Sequence, residues 1–330
     1  MTKQQAKGYI HPLKSPYAAP FFFIKKKDSK LQPIQDYQHL NEWTIKNCYP
    51  LPLISELIAQ VQNAKMFTKV DVRWGYNNIC IKEGDEYKAA FITNQGLFEP
   101  TVMFFRLTNS PATFQTMMNV IFTPEIAKGW LIVYMDDILI ATRDDLKFHE
   151  ECIHHVLEKL HLNDLYLKPE KCIFEQWQIE FLGVILENGT VQMDPAKLKG
   201  IVDWPQPQHV TDVCTFLRFT GFYCYFVPNY SNIVQPLIQL TKKNVVFKWM
   251  EECKVAFEQL KTLMCSCPIL QQPDYTKAFF LATDALAYGV GTILLQEGEI
   301  NPCTQQLMLC PITYYSATFT PTQHNYNIYE

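Results

Sequence analysis

Several features are missing from this 330-residue chain, and each absence narrows its class. No stretch of about twenty apolar residues occurs, and no charged segment with a short apolar core opens the chain. Neither a membrane span nor a secretory leader is expected, so the sequence reads as cytoplasmic or nuclear, without a membrane partner. The 11 cysteines form no repeated C-x-x-C pairs; Cys265 and Cys267 are one residue apart, and Cys152 near His154 and His155 makes no zinc spacing. Free buried thiols in a reducing compartment are the expectation. The net charge of −4 gives no overall basic signature. Internal repeats and low-complexity tracts are absent too.

With 48% hydrophobic and 14% aromatic residues the chain can bury large cores, and its length suits two or three domains. Charge is uneven. Lys3, Lys7, Lys14, Lys25, Lys26, Lys27 and Lys30 stand against the lone acid Asp28 in the opening stretch, a local basic patch able to meet phosphates.

One run organises the rest. In Leu131-Ile132-Val133-Tyr134-Met135-Asp136-Asp137-Ile138-Leu139-Ile140 two adjacent carboxylates interrupt apolar residues, so the run reads as a β-hairpin with the pair at its turn. Buried carboxylates side by side repel and are costly to desolvate, which makes physical sense where divalent cations sit. As a bare pair between apolar runs, Asp-Asp is usually just an ordinary turn. Met66 to Val72 reads as a strand in which Phe67, Lys69 and Asp71 share one face; Asp71 at its end can complete a three-carboxylate cluster.

Around these lie Phe21 to Ile24, a lysine turn and Leu31 to Ile34 as a hairpin, and a helix with Ser55 as N-cap. Residues 89–93 and 100–105 read as paired strands. A helix starts at Ser110 as N-cap with Pro111, its stripe Phe114, Met117, Met118, Ile121 and Phe122 being core packing. Residues 145–162 form an amphipathic helix with Phe148, Cys152, Val156 and Leu160 inward and the His154–His155 pair solvated. Residues 181–186 read as one strand before a turn at Glu187-Asn188-Gly189. Helices fill 194–243 and 251–265. A strand from Ala278 to Asp284 pairs with Gly289 to Leu295.

These motifs together resemble the reverse transcriptase of a gypsy-type LTR retrotransposon, essentially end to end. Tyr134-Met135-Asp136-Asp137 is similar to the Y-[ML]-D-D turn. Val70-Asp71-Val72-Arg73-Trp74-Gly75-Tyr76 resembles the L-D-[LV]-R-x-G-Y block, and Leu107 to Gln115 the L-T-N-[AS]-P-A-T-F-Q block. Lys168-Pro169-Glu170-Lys171-Cys172 with Phe181-Leu182-Gly183 resembles the approach to the primer-contacting hairpin, and Phe247-Lys248-Trp249 through Asp284 the start of an RNase H-like domain. The resemblance implies an α+β right-hand polymerase of fingers, palm and thumb, then a partial RNase H-like α/β domain. Fingers and palm would span 1–186, thumb and connection 187–243, and the RNase H-like part 244–330.

It further implies two-metal nucleotidyl transfer with two Mg2+ or Mn2+ ions, an RNA template, a DNA or RNA primer and deoxynucleoside triphosphates. Asp71, Asp136 and Asp137 would be catalytic metal ligands, helped by the Val72 carbonyl. Lys26, Tyr76, Phe105 and Gln115 would meet the nucleotide, Lys26 on the triphosphate, Tyr76 as a gate against the 2′-hydroxyl and Phe105 packed on it. Asp284 would be a remnant acid of an RNase H site, without RNase H activity. Gln32 stands where the family has Arg, and Arg106 where it has Gly; Arg218 and Gly221 replace a Gly and an Asn. Gln cannot supply an arginine's fork, and a side chain at 106 would crowd the pocket or strain its turn. An element-derived protein that has lost catalysis and binds nucleic acid is the alternative.

Overall fold

The computed structural model describes residues 2–12, 14–25, 31–61, 64–143, 145–266, 268–286, 289–300, 307–320 and 322–323. Two compact units emerge: residues 1–61 with 66–176, and residues 62–65 with 177–330.

The first unit holds two sheets. Strands β1 (Ile10–Pro12), β2 (Ala19–Lys25), β3 (Leu31–Gln35), β5 (Phe91–Thr93) and β6 (Gly96–Pro100) form one, ordered β1-β6-β5-β2-β3, in which only the β2–β5 pair is parallel. Tyr37, Phe91, Phe98 and Phe104 fill its core, and the buried Tyr37 hydroxyl is satisfied by the Ala89 carbonyl at 2.9 Å. The β2–β3 hairpin matches expectation, though its lysine turn lies outside the described residues. Residues 100–105 do not continue as a strand; β6 ends at Pro100, whose ring removes a ladder donor.

The second sheet contains β4 (Met66–Asp71), β7 (Leu131–Tyr134), β8 (Asp137–Thr142) and β9 (Ile173–Gln176), ordered β7-β8-β4-β9 and antiparallel throughout. Alternation sends Val70, Val72, Leu131, Val133, Ile138 and Ile140 to one face, where helices Ser110–Ile121 and Leu146–Leu162 cover them with Phe114, Met118, Cys152, Val156 and Leu160. Each such buried side chain contributes roughly 1.5–3 kcal/mol. Asp71 and Asp137 belong to the other parity.

Helix details differ from the sequence reading. Ser110 is the first helical residue after Asn109, and its hydroxyl donates to the Phe104 carbonyl at 3.2 Å instead of capping. Leu53, not Ser55, precedes helix Ile54–Gln60. In Leu146–Leu162 it is His149 that turns inward, while Phe148 stays 44% exposed. His149 lies between two hydroxyls, Thr68 Oγ1 at 2.8 Å from Nε2 and Thr142 Oγ1 at 2.7 Å from Nδ1, so a polar ring is satisfied where a phenyl ring was expected. His155 is not simply solvated; its Nε2 lies 2.7 Å from the buried Glu125 carboxylate.

In the second unit, strands β10 (Gln178–Phe181), β11 (Val184–Glu187), β12 (Thr190–Met193) and β13 (Leu270–Gln271) make an antiparallel meander. The single strand expected over 181–186 is thus split by a turn at Leu182-Gly183, both at positive φ. Helices Pro195–Val202, Val210–Phe222, Gln235–Leu240 and Glu251–Cys265 pack around Phe216, Leu237, Phe257 and Leu260. A second antiparallel sheet follows: β14 (Phe279–Leu286), β15 (Gly289–Ile300) and β16 (Leu307–Thr318), the last not foreseen. Among the described residues no helix is long and apolar enough to cross a membrane.

Candidate active site

The register of β4 on β8 sets Asp71 directly opposite Asp137. Tyr134 pairs with Asp137 across β7 and β8, leaving Met135 and Asp136 as a two-residue turn. Met135 sits at φ 51°, the sign that tight hairpin turns need and that Gly usually supplies. Such strain persists only when neighbours hold it. Here Gln115 does so. Its Oε1 accepts the Met135 N–H at 2.7 Å, and its Nε2 donates to the Val133 carbonyl at 3.0 Å and to Asn119 Oδ1 at 2.9 Å. Gln115 is completely buried and lies beneath the turn. The Val72 N–H donates to the Asp136 carbonyl at 2.9 Å, tying the end of β4 to the same turn.

Lysines surround the carboxylates. Lys168 Nζ donates to Asp71 Oδ1 and, at 3.2 Å, to the Val72 carbonyl. Lys171 Nζ donates to Asp71 Oδ2 at 3.0 Å, and this bond holds its own pKa above the ordinary lysine value. Lys69 Nζ stands 3.7 Å from Asp137 Oδ1. Lys168 and Lys171 reach Asp71 because the chain after Tyr166 runs beside it: the Arg73 N–H donates to the Tyr166 carbonyl at 2.6 Å, and the Lys168 N–H to the Asp71 carbonyl at 2.9 Å. In sequence the two lysines stand only in the segment that resembles the approach to the primer-contacting hairpin, and nothing local pairs them with Asp71.

Asp136 is the odd member. Its Oδ1 is buried without a hydrogen-bond partner. Burial first, opposed by Lys168 and reinforced by Asp71 and Asp137, pushes its carboxyl up to about 6. Gly75 makes room for it: a Cβ there would collide with Asp136 Oδ1 and approach Phe114 Cζ to 2.7 Å. Among the described residues no three acidic, histidine or cysteine side chains stand together in metal-holding geometry. The backbone gathers the three acids, while the side chains of Asp71 and Asp137 turn to ammonium groups. The donor set nonetheless suits a hard cation: carboxylate oxygens, one of them orphaned, plus a main-chain carbonyl that already accept positive charge.

Beside the acids, Tyr76 is nearly buried, its ring edge-on to Phe105 and Phe114 with centroids 5.1 and 5.7 Å away. Its hydroxyl lies 3.7 Å from Met135 Sδ, and burial raises its pKa. Phe105 is 45% exposed. Arg106 sits at φ 74°, a left-handed conformation that costs a side chain energy and suits the glycine expected there. Its guanidinium carbon lies 5.7 Å from the Phe22 ring centroid, and its carbonyl accepts from Asn41 Nδ2 at 2.7 Å. Gln32 pairs with Ile24 in the β2–β3 ladder, its side chain undescribed. Lys26 lies outside the described residues. Asp284 is exposed on β14, opposite Gly291 and remote in sequence from the other acids.

Comparison with known proteins finds likeness over nearly the whole chain. Residues 24–186 match the family described as reverse transcriptase (RNA-dependent DNA polymerase), and residues 249–330 the RNase H-like domain found in reverse transcriptase. The Tf2-3 transposon polyprotein of Schizosaccharomyces pombe is 33% identical over 321 residues, 97% of this chain but 24% of that polyprotein; the Tf2-7 polyprotein gives the same figures. The chain therefore spans about a quarter of those relatives. The foamy viral protease-reverse transcriptase in complex with RNA/DNA hybrid superposes with TM-score 0.82 at 20% identity, covering 99% of this chain and 43% of that one. The same viral protein with double-stranded DNA gives 0.81 at 21% identity, with 99% and 66% covered. The fold is that of a right-hand polymerase with an RNase H-like domain, and the chain belongs to the reverse transcriptases of LTR retrotransposons.

Proposed function

We propose that this chain is an RNA-directed DNA polymerase, joining deoxynucleoside triphosphates to the 3′-hydroxyl of a DNA or RNA primer on an RNA template. The observation that supports it most is the Asp71–Asp137 register pair with Asp136 at the adjoining turn. Asp71, Asp136, Asp137 and the Val72 carbonyl would hold two Mg2+ or Mn2+ ions. Bound there, such ions supply Lewis acidity at the attacking hydroxyl and neutralise the leaving pyrophosphate.

The chain's own residues supply the rest. Gln115 fixes the turn so that Asp136 keeps its position despite repulsion. Lys168 and Lys171 neutralise Asp71 and keep the anionic cluster compact. Tyr76, braced by Phe105 and Phe114, presents an immobile ring that excludes a ribose 2′-hydroxyl. Exposed Phe105 is available to pack on the nucleotide. Template choice is left to base pairing, so the protein needs backbone contacts and shape rather than sequence readout.

A second reading, a polymerase fold that binds nucleic acid without catalysis, is favoured by Arg106 at φ 74°. Primer extension on an RNA template with Mg2+ or Mn2+ separates the two. Extension that Asp136→Asn abolishes supports the polymerase. Absence of extension, restored in Gln32→Arg with Arg106→Gly, supports the second reading.

A further inference from the structure

Lys168 and Lys171 both meet Asp71, but unequally. Lys171 Nζ bonds one carboxylate oxygen, Oδ2, at 3.0 Å, and its side chain is 59% exposed. Lys168 Nζ bonds Oδ1 and, at 3.2 Å, the Val72 carbonyl, and its side chain is only 23% exposed. One ammonium group thus gathers a carboxylate oxygen and a main-chain carbonyl from adjacent residues. Asp71 and the Val72 carbonyl are also two of the ligands proposed for a divalent ion. Asp136 Oδ1, buried in the same cluster, has no hydrogen-bond partner among the described residues.

The backbone at Lys168 is pinned. Its N–H donates to the Asp71 carbonyl at 2.9 Å, and its carbonyl accepts from the Lys171 N–H at 3.0 Å and from the Cys172 thiol at 3.2 Å. Val72 and Leu167 form an isolated antiparallel bridge beside it. Beyond this anchor the lysine stem is flexible. The ammonium can therefore leave the cluster without disturbing β4, and it returns at the high effective concentration of a tethered group.

An ammonium group carries one positive charge and three donors. It offsets the charge of Asp71 and leaves Asp136 Oδ1 unpartnered. A hard divalent ion carries twice the charge and gathers more oxygens, so it can serve Asp136 as well. Two cations in contact with the same pair of oxygens repel at short range, so one displaces the other.

We propose that Lys168 stands in for a divalent cation at Asp71 and Val72 and withdraws when one binds, keeping Asp71 compensated throughout. The ion's part in the reaction rests on the polymerase reading, whereas the exchange of ammonium for ion is a matter of cation binding alone.

The test is Mn2+ titration of the full chain by electron paramagnetic resonance, without nucleic acid. Lys168→Met removes the competing ammonium and should tighten Mn2+ binding about tenfold, the release of one charge-assisted contact. Lys171→Met removes a more exposed charge and should tighten it about twofold at most. Equal tightening by the two variants would assign the effect to the general field of the lysines and overturns the proposal. So does unchanged binding in Lys168→Met, or no Mn2+ binding by either chain. In chelator, Lys168→Met should melt at a lower temperature than the wild type, and saturating Mn2+ should close most of that gap. A second measurement needs no variant: acetylation of the wild-type chain by acetic anhydride, read by mass spectrometry. Saturating Mg2+ should raise labelling of Lys168 several-fold and leave the exposed Lys82 unchanged. Labelling of Lys168 that Mg2+ leaves unchanged or lowers overturns the proposal. Failure of the polymerase reading looks different: no primer extension under any condition, with Lys168-dependent Mn2+ binding intact.

Discussion

Two regions of this molecule carry an aspartate on a β-strand, at the end of β4 and inside β14, and treat it in opposite ways. On β4 and β8, Asp71 and Asp137 face each other, Asp136 is buried beside them, and Lys168 and Lys171 hold Asp71. On β14, Asp284 is exposed opposite Gly291, with Phe279, Phe280 and Leu281 exposed on the same strand. The difference teaches that an acid on a strand is no site by itself. Burial and the facing register of the acids raise the cost of their charge, the neighbouring lysines offset part of it, and a bound cation would offset the rest.

The comparison breaks most sharply under substitution of the acids. Asp136→Asn is expected to lower primer-extension kcat by at least about 10³-fold, as removal of a metal-holding carboxylate should, whereas Asp284→Asn leaves it unchanged; steady-state extension of both variants checks this. Next in size is Gln115→Met, which strands the Met135 N–H and the Val133 carbonyl. It should cost about 1–3 kcal/mol of stability and lower kcat through a displaced turn. Urea denaturation with parallel kinetics distinguishes it from a simple stability loss.

Tyr76→Val should relax discrimination against ribonucleotides about tenfold, read from competitive incorporation of matched ribo- and deoxyribonucleotides.

The pH dependence offers a subtler test. Burial holds the His149 pKa below its ordinary value of 6.5. The unfolded chain then takes up a proton that the folded state refuses, so stability is complete above about pH 6.5 and declines as pH falls toward the depressed value. His149→Gln should flatten that slope in thermal melts between pH 7 and 5. The smallest effect belongs to Arg106→Gly. Relief of its positive φ, set against the entropy of the added glycine, should raise stability by about 1 kcal/mol or less, seen as a small increase in Tm.

Much of the first unit was legible in the sequence. Period-two alternation placed Asp71 on one face of β4, and apolar runs on both sides of the Asp136–Asp137 pair marked the hairpin. The stripe through Phe114, Met118 and Phe122 announced the helix that covers it. What local pattern could not reveal were contacts across long sequence separations. Lys168 and Lys171 meet Asp71 97 and 100 residues away. The resemblance put Gln115 at the nucleotide, whereas its fully buried amide is engaged with the backbone of the turn, a contact that no local pattern announces. His149 displaced Phe148 from the core because Thr68 and Thr142, invisible as partners in sequence, satisfy its ring. The strand break at Leu182-Gly183 hid inside a continuous apolar run, since a single glycine there reads equally as a bulge.

The central claim is that three carboxylates from β4 and the β7–β8 turn act together as a cation site. Its most direct test counts Mn2+ ions bound to the full chain in the presence of primer–template and a non-hydrolysable nucleotide, by electron paramagnetic resonance. About two ions per chain are expected for the wild type, with binding lost or weakened at least tenfold in Asp71→Asn and Asp136→Asn alike. Equal Mn2+ binding by the wild type and both variants would contradict it.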